Sequence, residues 1–330
     1  MMRLFFGLKV FPRIWRLFLA LGLGLAACQS QRLMDISLDQ HATITYAPVT
    51  ITTTVESVPT ATFQPSPTIR PSPTRGASAT LSATLTIMPT PTPLACWEKA
   101  GHVEQGDLAS DLLPLPLEYT VHLPPCYDEQ PDRHYPVLFL IHGQNYNQDQ
   151  WERLGAPETA DRLVATGEIA PFILVLPRDR SWSQPTEDMF GKVLAEKLVP
   201  WIDEHYRTLS DRQYRAIGGL SRGAGWAVHL GLSHWELFGR LGAHSLPVFW
   251  TDTYHIRSWL DQIPPDSVPA IFLDIGEKDR PQILRSAEWF EQLLTDRNIP
   301  HEWYLYPGYH EEAYWQSHVE QYIRWYAQGW

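Results

Sequence analysis

Cysteine is scarce in this chain: three among 330 residues, Cys28, Cys96 and Cys126, with no CxxC spacing. That excludes a zinc ribbon or a disulfide-dense miniature domain, so no metal site is expected. Cations are in short supply as well, 26 Lys and Arg against 37 Asp and Glu. Nucleic-acid binding needs clustered cations to neutralise phosphates, so that partner class is excluded. Long apolar runs are missing too. The N-terminal run Leu17–Ala26 is roughly ten residues, about half of what a membrane-spanning helix needs.

What is present begins with an export signal over residues 1–27. Arg3, Lys9, Arg13 and Arg16 form a basic region ahead of the apolar run, which ends in small residues. Leu25-Ala26-Ala27-Cys28 resembles a bacterial lipoprotein signal, in which the cysteine becomes the lipidated first residue. Stable anchoring takes more than one acyl chain, which such a residue can carry. Cys28 is therefore expected to tie the protein to the outer face of the cell membrane. Residues 28–94 then read as a disordered tether. Between Pro59 and Pro93, 21 of 35 positions are Pro, Thr or Ser and Phe63 is the only aromatic. Such a stretch has little to bury and favours extended backbone.

From residue 95 the composition changes. Residues 95–330 hold 13 of the 14 Trp, and 34 acidic against 19 basic residues. That length suits one α/β unit. Cys96 and Cys126 form an even pair in an exported chain, where disulfides persist, and are expected to be bonded. Strand signals fall at 117–123, 136–141, 172–176, 214–220, 241–245, 270–275 and 301–306. Helical spacing falls at 192–206, 224–232, 286–296 and 313–327. The alternation predicts a mostly parallel central sheet with helices on both faces.

Gly219-Leu220-Ser221-Arg222-Gly223 fits a nucleophile elbow between an apolar strand and a helix. The sharp turn lifts the Ser221 hydroxyl above the sheet, towards the positive end of the following helix. That hydroxyl is inert until a base removes its proton. The acid of such a triad should follow a later strand, which points to Asp279 after 270–275. Asp274, within the strand, and Glu277 are the alternatives. The base should follow the last strand. His310, in Tyr306-Pro307-Gly308-Tyr309-His310, is better placed than His301 or His318. The oxyanion needs two backbone donors. The N–H of Arg222, directly after the nucleophile, is one. The N–H of Gln144, in the loop His142-Gly143-Gln144, is the other, with His142 read as packed under that loop. Ser181, Trp182, Glu187 and Asp188 should border the site. Trp226, Trp250, Tyr254 and Trp259 offer an aromatic wall or, equally, core.

Over residues 115–330 the chain resembles the Putative esterase family of α/β hydrolases, which includes feruloyl, acetyl xylan and enterochelin-type esterases and esterase D. The likeness rests on VHLPPCYD, YPVLFLIHG, GEIAPFILVLP, AIGGLSRGAGWAVHLGL, LFGRLGAHS, IFLDIGEKDR and YPGYHEEAYW. Ala224 stands where a second glycine is common, and the usual proline after His234 is missing. The resemblance implies an α/β-hydrolase fold and a serine esterase with Ser221 as nucleophile, Asp279 as acid, His310 as base and Gln144 and Arg222 as oxyanion donors. It needs no cofactor. It leaves the substrate open between glycan-bound and small-molecule esters, and leaves room for an acyltransferase of the cell envelope. A non-catalytic binding module is the third class, and the intact triad speaks against it.

Overall fold

The computed structural model describes residues 96–330, so the signal segment, Cys28 and the tether lie outside the described residues. The strands are β1 (His102–Leu108), β2 (Leu117–Leu123), β3 (Val137–Ile141), β4 (Ile173–Pro177), β5 (Arg215–Leu220), β6 (Arg240–His244), β7 (Ala270–Gly276) and β8 (Glu302–Tyr306). They make one sheet in the order β1-β2-β4-β3-β5-β6-β7-β8. β1 and β2 are antiparallel to each other, and β2 is antiparallel to β4. The remaining neighbours are parallel. This is the α/β-hydrolase fold.

The apolar runs of β3 and β4 are explained by burial on both faces. Val137, Phe139, Ile141, Ile173 and Val175 pack on one side with Phe190, Leu194, Leu198 and Trp226. Leu138, Leu140, Leu174 and Leu176 pack on the other with Trp151, Leu163, Tyr322 and Tyr326. The first side is covered by a helical segment comprising α3 (Phe190–Val193), a π-helical stretch (Leu194–Leu198) and α4 (Val199–His205), and by α5 (Arg222–Ser233). Further along the same side lie α6 (Ile256–Gln262) and α7 (Pro281–Asp296). The second side is covered by α1 (Gln150–Arg153), α2 (Ala156–Ala165) and α8 (Glu312–Tyr326).

Five elements depart from the sequence expectation. Strand β1, HVEQGDL, is polar and mostly exposed at the sheet edge, so it carries no period-2 apolar signal. Helices α1 and α6 are four and seven residues long, too short for a helical period to show. Helix α2 buries mainly small residues, Ala156, Pro157 and Ala160, which mutes its apolar stripe. Helix α7 starts earlier than its apolar spacing implied, because Pro281 sits in its first turn, where a missing N–H costs nothing. At the start of the domain Cys96 and Cys126 are disulfide-bonded, with Cα atoms 5.6 Å apart.

Candidate active site

Strand β5 ends in a turn whose first residue, Ser221, has φ 51° and ψ −123°. A non-glycine residue with that backbone is strained and is held by its surroundings. Its N–H donates to the His244 carbonyl at 2.8 Å, and its carbonyl accepts from Ala224 N–H at 2.8 Å. The flanking glycines are dictated by contact. A Cβ on Gly219 would lie 2.4 Å from the Gly223 carbonyl group, and one on Gly223 would lie 2.1 Å from the Ile141 oxygen. Only a bare backbone lets the elbow pass so close to the end of β3.

The structure brings Ser221, His310 and Asp279 into one chain of contacts. His310 Nε2 lies 2.9 Å from Ser221 Oγ. His310 Nδ1 lies 2.9 and 3.0 Å from the two Asp279 oxygens. With Nδ1–H donating to the carboxylate, Nε2 is left as the acceptor facing the hydroxyl. Asp279 is buried, at 4 % exposed, and also accepts from the Arg280 N–H at 2.6 Å. Trp315 stands edge-on to the His310 ring with centroids 5.0 Å apart.

The loop after β3 runs beside the nucleophile. A Cβ on Gly143 would come within 3.5 Å of Ser221 Cβ. The Gly143 N–H is taken by Gln150 Oε1 at 2.8 Å, whereas the Gln144 N–H makes no hydrogen bond among the described residues. Arg222 opens α5, so its N–H has no carbonyl a turn behind it to bond. Both ring nitrogens of His142 are engaged. Nδ1–H donates to the Gly143 carbonyl at 2.7 Å, and Nε2 accepts from Asp179 N–H at 3.0 Å. Burial lowers its pKa and keeps it neutral.

The other candidates fall elsewhere. Asp274 is buried on the α8 side and bonds His244 at 2.6 Å rather than His310. Glu277 is exposed beside Lys278. Nδ1–H of His301 donates to the Ile299 carbonyl, and Nδ1–H of His318 to the Tyr314 carbonyl, each at 2.8 Å. The aromatic wall needs a correction. Trp226 is fully buried, with its Nε1–H donating to Asp179 Oδ2 at 2.8 Å, and belongs to the core. Trp259 is half-buried against the α7 side of the core. Trp250 and Tyr254 are exposed, as is Trp182.

Two sets of contacts at the site went unseen in the sequence. The Arg222 guanidinium reaches back to the loop after β4, donating to Asp179 Oδ2 at 2.6 Å and to the Ser183 carbonyl at 2.8 Å, with Asp188 at 3.4 Å. Burial raises the Asp188 pKa. Gln150, which is fully buried, joins the loop after β3 to helix α8. Its amide donates to Glu312 at 3.0 Å, at the start of α8, while its carbonyl oxygen holds Gly143. Charged residues flanking a nucleophile are common, and only the fold shows that this arginine points at two aspartates.

The profile of the Putative esterase family matches residues 110–326. The chain belongs to that family. The chain is 32% identical over 183 residues to an endo-1,4-beta-xylanase/feruloyl esterase of Xylanibacter ruminicola, covering 51% of this chain and 24% of the relative. It is 26% identical over 230 residues to an esterase of Mycobacterium tuberculosis, covering 54% and 49%. The chain thus spans between a quarter and half the length of these relatives. Among solved structures, a ferulic acid esterase superposes with a TM-score of 0.61 at 27% identity, covering 69% of this chain and 98% of that one. A ferulic acid esterase of Anaeromyces mucronatus, solved with ferulic acid, shares the fold with a TM-score of 0.55 at 21% identity, over 68% and 90% of the two chains.

Proposed function

We propose that this protein is a serine esterase working outside the cell, held at the membrane by a lipid on Cys28 and set off from it by the tether. The observation that carries the chemistry is the continuous contact from Ser221 Oγ through His310 to Asp279, with the nucleophile on a strained elbow. His310 Nε2 takes the Ser221 proton as Oγ attacks the ester carbonyl. Asp279 holds the ring in the right tautomer and stabilises the cation. The oxyanion is met by the N–H groups of Gln144 and Arg222. As the tetrahedral species collapses, the C–O bond to the alcohol breaks and His310 protonates the leaving oxygen. Water, deprotonated by the same ring, then attacks the acyl-enzyme. The carboxylic acid leaves, and Ser221 recovers its proton. Every proton and electron pair is accounted for by these residues and water, so the steps need no metal or organic cofactor.

The substrates proposed are acylated glycans and phenolic or other small esters. Trp182, Trp250 and Tyr254 are 68%, 63% and 79% exposed, and sit on the loops after β4 and β6, at the strand ends where Ser221 emerges. Flat aromatic faces suit a phenolic ring or a sugar. The relatives bearing the names feruloyl esterase and ferulic acid esterase point the same way.

The test is covalent labelling with a fluorophosphonate, together with turnover of short acyl, feruloyl and acetylated-glycan esters. Ser221→Ala is expected to abolish labelling and to lower turnover by several orders of magnitude, because nucleophile and base act as a unit. Labelling that persists unchanged places the nucleophile elsewhere. For location, Cys28→Ser is expected to move the protein from the membrane fraction to the soluble one. Continued membrane association refutes the lipid anchor.

A further inference from the structure

On the sheet face covered by α8 lies a second polar cluster that the hydrolytic steps leave unused. Asp274 and His244 are 1% and 0% exposed. His244 Nδ1–H donates to Asp274 Oδ1 at 2.6 Å. The hydroxyls of Tyr314 and Tyr322 both donate to Asp274 Oδ2 at 2.7 Å. The Tyr326 hydroxyl lies 3.0 Å from His244 Nε2, the ring's remaining acceptor. Burial, then the Asp274 charge, push all three phenols up, so they are donors throughout. The tyrosines fall at i, i+8 and i+12 on α8, one stripe of the helix. Strands β5 and β6 are hollowed to admit Tyr326. A Cβ on Gly218 or Gly242 would sit 1.8 or 1.9 Å from the Tyr326 oxygen.

A buried carboxylate is costly unless its lone pairs are used, and here three donors use them. The cluster touches each working part of the site. The His244 carbonyl holds the Ser221 N–H at 2.8 Å, and the Asp274 carbonyl holds the Ser245 N–H at 2.8 Å. Ser245 Oγ accepts from Trp315 Nε1–H at 3.2 Å, and that indole is edge-on to His310. The Tyr314 ring lies under the loop that carries His310, where a Cβ on Gly308 would come 2.3 Å from its Cδ2. Tyr314 is therefore both bonded to the buried carboxylate and pressed against the base's own loop. Tyr322 is bonded to the same oxygen from one helical step of eight residues further along α8.

We propose that Tyr314, fixed by the buried Asp274–His244 pair, is a positioning residue that sets where His310 stands relative to Ser221. This rests on the reading of Ser221, His310 and Asp279 as the triad. The pair Tyr314→Phe and Tyr322→Phe separates positioning from mere stability, because each removes one hydroxyl donor from the same Asp274 oxygen. Both full-length variants are expected to melt lower by similar amounts. With 4-nitrophenyl acetate, Tyr314→Phe is expected to lose about tenfold in kcat with KM within about twofold, the size of effect a small misplacement of a base produces. Tyr322→Phe should keep both kcat and KM within about twofold of the parent. Equal kcat in the two variants, or a Tyr314→Phe loss that falls on KM rather than kcat, overturns the proposal. Should Tyr314→Phe fail to fold, Asp274→Asn decides instead: it weakens the acceptor that fixes the Tyr314 hydroxyl, and a kcat within about twofold of the parent overturns the proposal. Ser221→Ala runs alongside. If that variant keeps its fluorophosphonate labelling, the triad reading falls. If it loses labelling while Tyr314→Phe turns over normally, only the positioning role falls.

Discussion

Replacing Arg222 with alanine removes a guanidinium that sits between two buried carboxylates while leaving the backbone N–H assigned to the oxyanion. Its side chain is 7% exposed, and those of Asp179 and Asp188 are 2% and 5% exposed. Removing one partner of such a pair leaves uncompensated charge in the core, which costs about 3–5 kcal/mol. The structure points to the low end. Asp179 keeps donors from Trp226 Nε1 at 2.8 Å and Ser181 N–H at 2.9 Å, and Asp188 keeps the Phe190 N–H at 2.9 Å. Asp188 can also shed its charge, since burial already raises its pKa. Loss of the cation raises it further. The penalty is then full above that raised value and shrinks as pH falls through it, when the folded state takes up a proton. Urea unfolding of parent and Arg222→Ala is thus expected to differ by about 3 kcal/mol at pH near 8, and by less near pH 5. KM should rise, because the guanidinium also holds the Ser183 carbonyl and with it the loop bordering the site. Fluorophosphonate labelling should survive, since the backbone donor remains. A difference below about 1 kcal/mol, or one that does not narrow on acidification, refutes the claim that Arg222 neutralises buried charge.

Two further outcomes follow from the same geometry. Asp279→Asn is expected to lower turnover by about three to four orders of magnitude with the fold intact, because the amide cannot hold His310 in the required tautomer or stabilise its cation; near-normal turnover removes Asp279 from the triad. The double variant Cys96→Ser, Cys126→Ser opens a link between positions 30 apart, worth roughly 3–4 kcal/mol in the chain-entropy picture. It should melt lower and hydrolyse esters normally at moderate temperature, and an unchanged melting temperature would show that the bond does not constrain the unfolded chain.

Much of the fold was legible because its signals are local. The runs PVLFLI and FILVL are apolar at every position since helices cover both faces of β3 and β4. The elbow is written as five consecutive residues, so its strand and helix announce it. What stayed hidden depends on contacts between distant parts of the chain. Asp274 and Asp279 are five positions apart and equally acidic in the sequence, and only burial against α8 separates the one that meets His244 from the one that meets His310. The spacing of Tyr314, Tyr322 and Tyr326 was readable as a helix face, but an aromatic stripe is the ordinary mark of a core. Nothing local says that its hydroxyls share one carboxylate. Trp226 shows the opposite limit. It sits five residues after the nucleophile, where an aromatic wall would be useful, and the fold spends it inside, donating to Asp179.

The order of the strands explains why the site is assembled from residues 221, 279 and 310. The proposed nucleophile leaves β5, the proposed acid follows β7 and the proposed base follows β8, with β6 between β5 and β7. Adjacent strands lie about 4.8 Å apart, so the tip of β8 is three spacings, roughly 14 Å, from that of β5. His310 closes that gap because the loop after β8 turns back over the strand ends. Its start is fixed by two backbone bonds: Glu277 N–H to the Tyr306 carbonyl at 2.8 Å, and Lys278 N–H to the Gly308 carbonyl at 2.9 Å. Those bonds tie the base's loop to the acid's loop before either side chain is considered. The intervening β6 contributes no triad member, yet its last residue supplies the carbonyl that holds the Ser221 N–H. A strand that looks like a spacer in the order thus fixes the height of the nucleophile. The shared loop bonds fix the distance from acid to base, and the only separation left to side chains is that from His310 to Ser221. That is the gap a small displacement of the loop bearing His310 would open, and the Tyr314 ring on α8 lies against that loop at Gly308.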